Sequence, residues 1–130
     1  MSSHSNVNKV ILVGNLGSAP ELRSTAKGTS VATLSLATNI AVKQSDGTYR
    51  DRTVWHRVVV WGKRAEACGK YLEKGNRVYL EGRLQTHDWQ DKNGQKRVKT
   101  EVLAETIKFL STRSFKDGGE QPQDSFSEAV

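Results

Sequence analysis

Apolar and polar positions alternate along most of this chain, the period of a strand with one covered face, and a single segment lengthens to the period of a helix. Residues 9–16 (KVILVGNL) form an apolar, β-branched run that is too short for a helix and is closed by Gly17, which predicts a buried strand. Gly14 inside the run predicts a bulge or bend. After a short piece at residues 21–23, residues 31–39 set Ala32, Leu34 and Leu36 on one face and Val31, Thr33, Ser35 and Ala37 on the other, a half-buried second strand. Residues 42–51 are polar and hold Asp46-Gly47, a hairpin-turn signal, so they form an exposed loop or ribbon. Residues 53–61 (TVWHRVVVW) are the third strand, with Trp55, Arg57, Val59 and Trp61 sharing a face.

The period changes over residues 63–74, where Ala65, Ala67, Tyr71 and Leu72 fit a short amphipathic helix ended by Gly75. Alternation resumes at residues 77–85, with Val78, Leu80, Gly82 and Leu84 inward and Tyr79, Glu81 and Arg83 outward. A hairpin with Asn93-Gly94 at its turn follows, and a return strand covers residues 96–110. The expected fold is all-β with one short helix: three strands, a helix and two strands is the order of the OB-fold, a five-stranded Greek-key barrel, here with extended hairpins. Residues 1–111 make up that domain. From residue 112 onward Ser, Gly, Gln, Pro and acids leave too little apolar surface to offset chain entropy, so residues 112–130 are read as a flexible, mildly acidic tail.

Charge adds direction. The chain of 130 residues carries 20 Lys and Arg against 14 Asp and Glu, a net charge of +6. Residues 115–130 contribute one base and four acids, so the body is more basic than the whole and suits a polyanion. One Cys excludes an intrachain disulfide framework, and His4, His56 and His87 lack ligand spacing, so neither a metal nor another cofactor is expected. No apolar run reaches membrane-spanning length, which together with the lone Cys predicts a soluble cytoplasmic protein.

The three Trp all lie in segments rich in bases. Trp55 and Trp61 bracket Arg57 and adjoin Arg52, Lys63 and Arg64; Trp89 opens the hairpin that carries Lys92, Lys96, Arg97 and Lys99. Core packing is the plain explanation of any one Trp. The flanking charges instead suit aromatic platforms beside a phosphate-tracking groove, the arrangement that binds single-stranded nucleic acid without sequence preference. Lys43, Arg50 and Arg52 on the first ribbon, and Lys96 and Arg97 on the second, are further candidates for phosphate contact. Cys68 reads as a small core residue.

These segments resemble the bacterial single-stranded DNA-binding protein family. The likeness runs through VNKVILVGNLG, PELR, VATLSLAT, WHRVVVWGKRAE, YLEKGNRVYLEGRL and the W-x-D-x-x-G-Q of residues 89–95, and so covers residues 7–110. It implies a homotetramer of nucleoid-associated, non-enzymatic subunits that protect single-stranded DNA in replication, recombination and repair. It further implies base stacking by Trp55, Trp61 and Trp89, phosphate contacts from Arg57, Lys63 and Lys74, and subunit contacts at His56, Lys9 and Tyr79. Two departures stand out. Val42 occupies a position where many members have another stacking Trp, and the chain closes in DSFSEAV, without the terminal Asp run and Pro-Phe through which the family recruits replication and repair proteins. Such recruitment is therefore not expected here.

Two other classes remain open on the residues alone. An OB-fold scaffold has no need of indoles on a basic face, and an enzyme needs clustered carboxylates or an activated Cys, neither of which is indicated.

Overall fold

The computed structural model describes residues 5–112. Its strands are β1 (Val10–Leu16), β2 (Glu21–Ser24), β3 (Ser30–Lys43) and β4 (Tyr49–Trp61), followed by the helix α1 (Lys63–Tyr71) and by β5 (Arg77–Gln90) and β6 (Lys96–Phe109). All but one residue of the expected tail lies outside the described residues.

Five strands close a barrel in the order β1-β5-β6-β4-β3, with β3 returning to β1. The closing step is a short parallel pairing of Val58 and Val59 on β4 with Val102 and Leu103 on β6. β1 serves two neighbours: residues 10–15 pair with β5, and Asn15 and Leu16 also face Ala37 and Leu36 of β3. Gly14 stands at this junction. A Cβ there would lie 2.2 Å from the carbonyl oxygen of Ala37, so the residue permits close backbone approach and is not a bulge. The bulge falls instead between Glu81 and Gly82, where β5 shifts register against β6.

The predicted inner face is the core. Ala32, Leu34 and Leu36 of β3 interleave with Val58 and Val60 of β4 and with Val78 and Leu80 of β5, all essentially inaccessible. α1 packs Ala65 and Cys68 into this cluster, and Leu72 just beyond it adds a third buried side chain. Burial pushes the Cys68 thiol up to about 12, so it is a packing group and not a nucleophile.

Two further expectations change. The piece at residues 21–23 belongs to a sixth strand, β2, paired outside the barrel with residues 30–33 of β3. Leu84 points to solvent, 47% exposed, although its parity is that of Val78 and Leu80. It lies beyond the core cluster and past Gly82, where the β1 pairing ends, and there the Asn8 side chain takes both backbone hydrogen bonds of Leu84.

Candidate nucleic-acid interface

The parity that buries Val58 and Val60 turns the alternate residues of β4 to the other face, where Trp55, Arg57 and Trp61 are exposed and Val59 in the same row is itself buried. Trp55 is 59% exposed and Trp61 47%. Their cross-strand partners on β3, Ala37 and Val31, are short, as are Ser35 beside Arg57 and Thr33 beside Val59, so no tall side chain screens the rings.

Two hollows meet along this row. The first, about 370 Å³, lies between Trp55, His56 and Arg57 and the segment of Ser18 and Ala19. The second, about 380 Å³, is lined by Trp61 and Trp89 with Arg23, His87, Lys99 and Glu101. Both are also lined by Thr33 and Arg57, which makes them one groove with an indole at one end and two at the other. Trp89 projects from β5 at 48% exposure.

Glu101 is the one buried carboxylate of this groove. Arg57 donates from Nε to Glu101 Oε2 at 3.1 Å and Gln85 from Nε2 to Oε1 at 3.1 Å, while His87 Nε2 approaches Oε1 to 2.7 Å. Arg23, His87, Lys99 and Glu101 are the groove residues that the sequence reading did not select. His87 was within its reach, since Gln85, His87 and Trp89 alternate on one face. Lys99 was in view as a base of the hairpin that Trp89 opens, whereas Arg23 and Glu101 are brought in by the pairing of strands.

The profile of the Single-strand binding protein family matches residues 7–110 of the chain. The chain belongs to that family. It is 46% identical over 123 residues to Single-stranded DNA-binding protein 1 of Chlorobaculum tepidum, a match that covers 94% of this chain and 75% of that one. In three dimensions it is similar to a Plasmodium falciparum SSB complex with ssDNA, at TM-score 0.76 and 33% identity over 85% of this chain and all of that one. A deletion mutant of the single-stranded DNA binding protein from Thermus aquaticus aligns at TM-score 0.71 and 37% identity, over 81% of this chain and 51% of its own. The family is one of DNA-binding proteins and not of enzymes.

Not every expected residue of this family member reaches the groove. Arg57 does. Lys63 on α1 and Lys74 in the turn after it line neither hollow, and Lys43, Arg50 and Arg52 stand on the β3–β4 ribbon, where the two Arg share a smaller hollow with Val42. Lys96 and Arg97 lie near the tip of the second ribbon, with Arg97 opposite Trp89. His56 shares a 2.9 Å hydrogen bond between its Nε2 and Thr38 Oγ1 and borders the first hollow. Lys9 and Tyr79 meet elsewhere, at Glu81: Lys9 Nζ is 3.1 Å from its Oε1, and the Tyr79 hydroxyl donates to Oε2. These two donors hold the Glu81 carboxyl below its ordinary value, the Tyr79 bond first, and the same bond raises the Tyr79 phenol.

Gly17 is the floor beneath the first indole. A Cβ on it would stand 2.4 Å from Cζ3 of Trp55, and Gly17 has no positive φ that would itself disfavour a side chain. Gly17→Ala is therefore expected to swing the Trp55 ring away and weaken oligo-dT binding about three- to thirtyfold, a part of one stacking interaction, with little change in thermal midpoint. Unchanged affinity would show that the ring's resting place is immaterial.

Asp91 shapes the ribbon that bears Trp89. Its Oδ1 accepts from the backbone of Asn93 and Gln95, and its Oδ2 from Arg97 Nε at 3.0 Å. The Gln95 bond, then the Arg97 bond, hold this carboxyl below its ordinary 3.8. A depressed folded value means that the tie is complete above pH 3.8 and is lost as pH falls through the lowered value. In a variant whose only Trp is Trp89, indole emission is expected to hold steady down to pH 3.8 and change below it. A transition centred above that value would contradict the assignment.

Proposed function

We propose that this protein binds and protects single-stranded DNA without sequence preference, as a homotetramer acting in replication, recombination and repair. The observation that carries the reading is the row of half-exposed indoles along a basic-edged groove. Unpaired bases offer π-faces that such rings stack against, each stack contributing about 1–3 kcal/mol, and a duplex hides those faces. Trp55, Trp61 and Trp89 are the stacking residues. Arg57 contacts phosphate within the groove, while Lys43, Arg50, Arg52, Lys63, Lys74, Lys96 and Arg97 guide the strand over the ribbons and helix around the barrel. The likeness to a structure described as a complex with ssDNA supports the assignment.

Assembly is assigned to the exposed face of β1, and to His56 at the border of the first hollow. β1 presents Ile11 and Val13, 56% and 39% exposed, beside Lys9 and the Tyr79–Glu81 pair. Exposed aliphatic side chains on a strand whose second edge is paired only at Asn15 and Leu16 suit a second copy of the chain. His56 acts at subunit contacts. The site of action is the cytoplasm, at the nucleoid.

A gel-shift competition among unrelated single strands of equal length tests the DNA reading. Competitors are expected to differ by less than about tenfold, since stacking tolerates every base. A strong preference for one sequence, or equal competition by duplex, would overturn it. Sedimentation is expected to return the mass of four subunits, and a stable dimer would instead favour the scaffold reading.

A further inference from the structure

The face of β4 that carries Trp55 and Trp61 does not end at Trp55. β3 and β4 keep one unbroken register from Val31 opposite Trp61 to Lys43 opposite Tyr49, so residues 49, 51 and 53 continue along the ribbon on the face of Trp55. Tyr49 lies at the far end of this face and is 67% exposed, more than any of the three Trp. The extended strand from Tyr49 to Trp55 spans about 20 Å. The side chains between the two rings are low: Thr53 donates from Oγ1 to Asn39 Oδ1 at 2.7 Å, and Asp51 stands opposite Ala41. Opposite Tyr49 itself is the exposed Lys43.

The turn before Tyr49 is closed. Gln44 donates its backbone N–H to the Thr48 carbonyl at 2.6 Å, and Gly47 donates to the Gln44 carbonyl at 3.0 Å. Asp46 Oδ1 accepts from the Thr48 backbone at 3.0 Å and from its hydroxyl at 2.6 Å. Tyr49 is thus held in the ladder at the mouth of a bonded turn, and a platform fixed before binding loses little freedom on binding. Asp51 is the one acid on this face of the ribbon; it repels phosphate and leaves the face to bases, while Lys43 beside the ring attracts the backbone. A second copy of the chain is the poorer occupant, since the neighbours of the ring are charged or polar and the exposed Ile11 and Val13 lie on β1. We propose that Tyr49 is a fourth base-stacking residue, which extends the aromatic row of β4 onto the β3–β4 ribbon. The inference rests on the single-stranded DNA reading above and lengthens its site. A strand that leaves Trp55 along the ribbon meets a second ring on the same face, with room for unpaired bases between them.

Two measurements decide it. In the first, the full chain is irradiated on a single strand of 5-bromodeoxyuridine and digested with trypsin. Cleavage after Lys43 and Arg50 releases residues 44–50, whose only aromatic residue is Tyr49, and mass spectrometry is expected to find the strand attached there. In the second, the full chain, Tyr49→Ala, Tyr49→Phe and Trp55→Ala are titrated with oligo-dT. Tyr49→Ala is expected to lose about five- to thirtyfold in affinity, the lower part of the range for one stack, with the thermal midpoint unchanged because the ring is exposed. Tyr49→Phe keeps the ring and is expected to stay within about twofold of the parent. Neither change removes a charge, so the salt dependence is expected to hold in both. No strand on residues 44–50, or full affinity in Tyr49→Ala while Trp55→Ala binds weakly, would overturn the proposal and leave the DNA reading standing. Tyr49→Phe as weak as Tyr49→Ala would also overturn it, since the hydroxyl and not the ring would then be the contact. A full chain that does not bind oligo-dT would overturn the DNA reading itself, and the fourth platform with it.

Discussion

Replacing Trp55 and Trp61 together by alanine is expected to lower affinity for oligo-dT at least about thirtyfold, the loss from two stacking interactions at the weak end of their range. The rings stand on the outer parity of β4, roughly half exposed, and the barrel's core is built from the opposite parity. Their removal takes away apolar platform without opening a cavity, so the thermal midpoint is expected to move by only a few degrees. The effect should also be the same for unrelated sequences, because what is lost is a surface for any base. If the double variant unfolded while its folded remainder still bound, the two indoles would be supports of the barrel and the groove would lie elsewhere. Fluorescence anisotropy of a labelled strand, read beside a melting curve, separates the two cases.

The largest expected effect on stability comes from the smallest residue in the sheet. Gly82→Ala would put a Cβ 1.9 Å from the carbonyl oxygen of Leu103 and close to the Ala104 backbone. Backbone atoms on the partner strand cannot rotate aside as the end of a side chain does. The residue also sits at the register shift between β5 and β6, beside the last pairing of β1 with β5, so displacement there strains three strands at once. A cost of about 3 kcal/mol or more is expected, at the upper end for overpacking. Denaturant unfolding measures it, and a loss below about 1 kcal/mol would mean that the bulge relaxes freely. Among refolded molecules the groove residues keep their places, so DNA affinity per folded subunit is expected to stay near that of the parent.

These two sites mark what the chain's pattern discloses and what it withholds. Alternation put Val58 and Val60 on one face and Trp55 and Trp61 on the other, but either parity can be the buried one in a barrel, and it was the basic neighbours that pointed the indoles outward. Alternation failed at Leu84, where it continues beyond the core cluster: parity describes the strand and not how far the core beneath it extends. β2 was invisible as a strand for a related reason, since its four residues are all exposed and carry no apolar alternation to detect. Gly14 and Gly82 were visible as glycines, but which backbone each one approaches is a matter of register.

The binding face divides in the same way. The flanking bases marked the three indoles, whose exposure the structure confirms. Charge near a Trp in sequence proved a weaker guide to the groove itself: Lys63 follows Trp61 closely yet lines neither hollow, whereas Arg23, far away along the chain, lines the second. Glu101 carried no sequence signal, since a carboxylate becomes a groove floor only when β6 lays it beneath Arg57 and His87.

The central claim, that the outward indoles are a docking surface for unpaired bases, is tested most directly by following intrinsic Trp emission while oligo-dT, and separately a duplex of equal length, is added at two salt concentrations. Strong quenching by the single strand is expected, with affinity falling as salt rises at a log–log slope of about −0.7 per neutralised phosphate, and little quenching by the duplex. Emission that stays constant with oligo-dT, or that falls equally with duplex, would contradict the account.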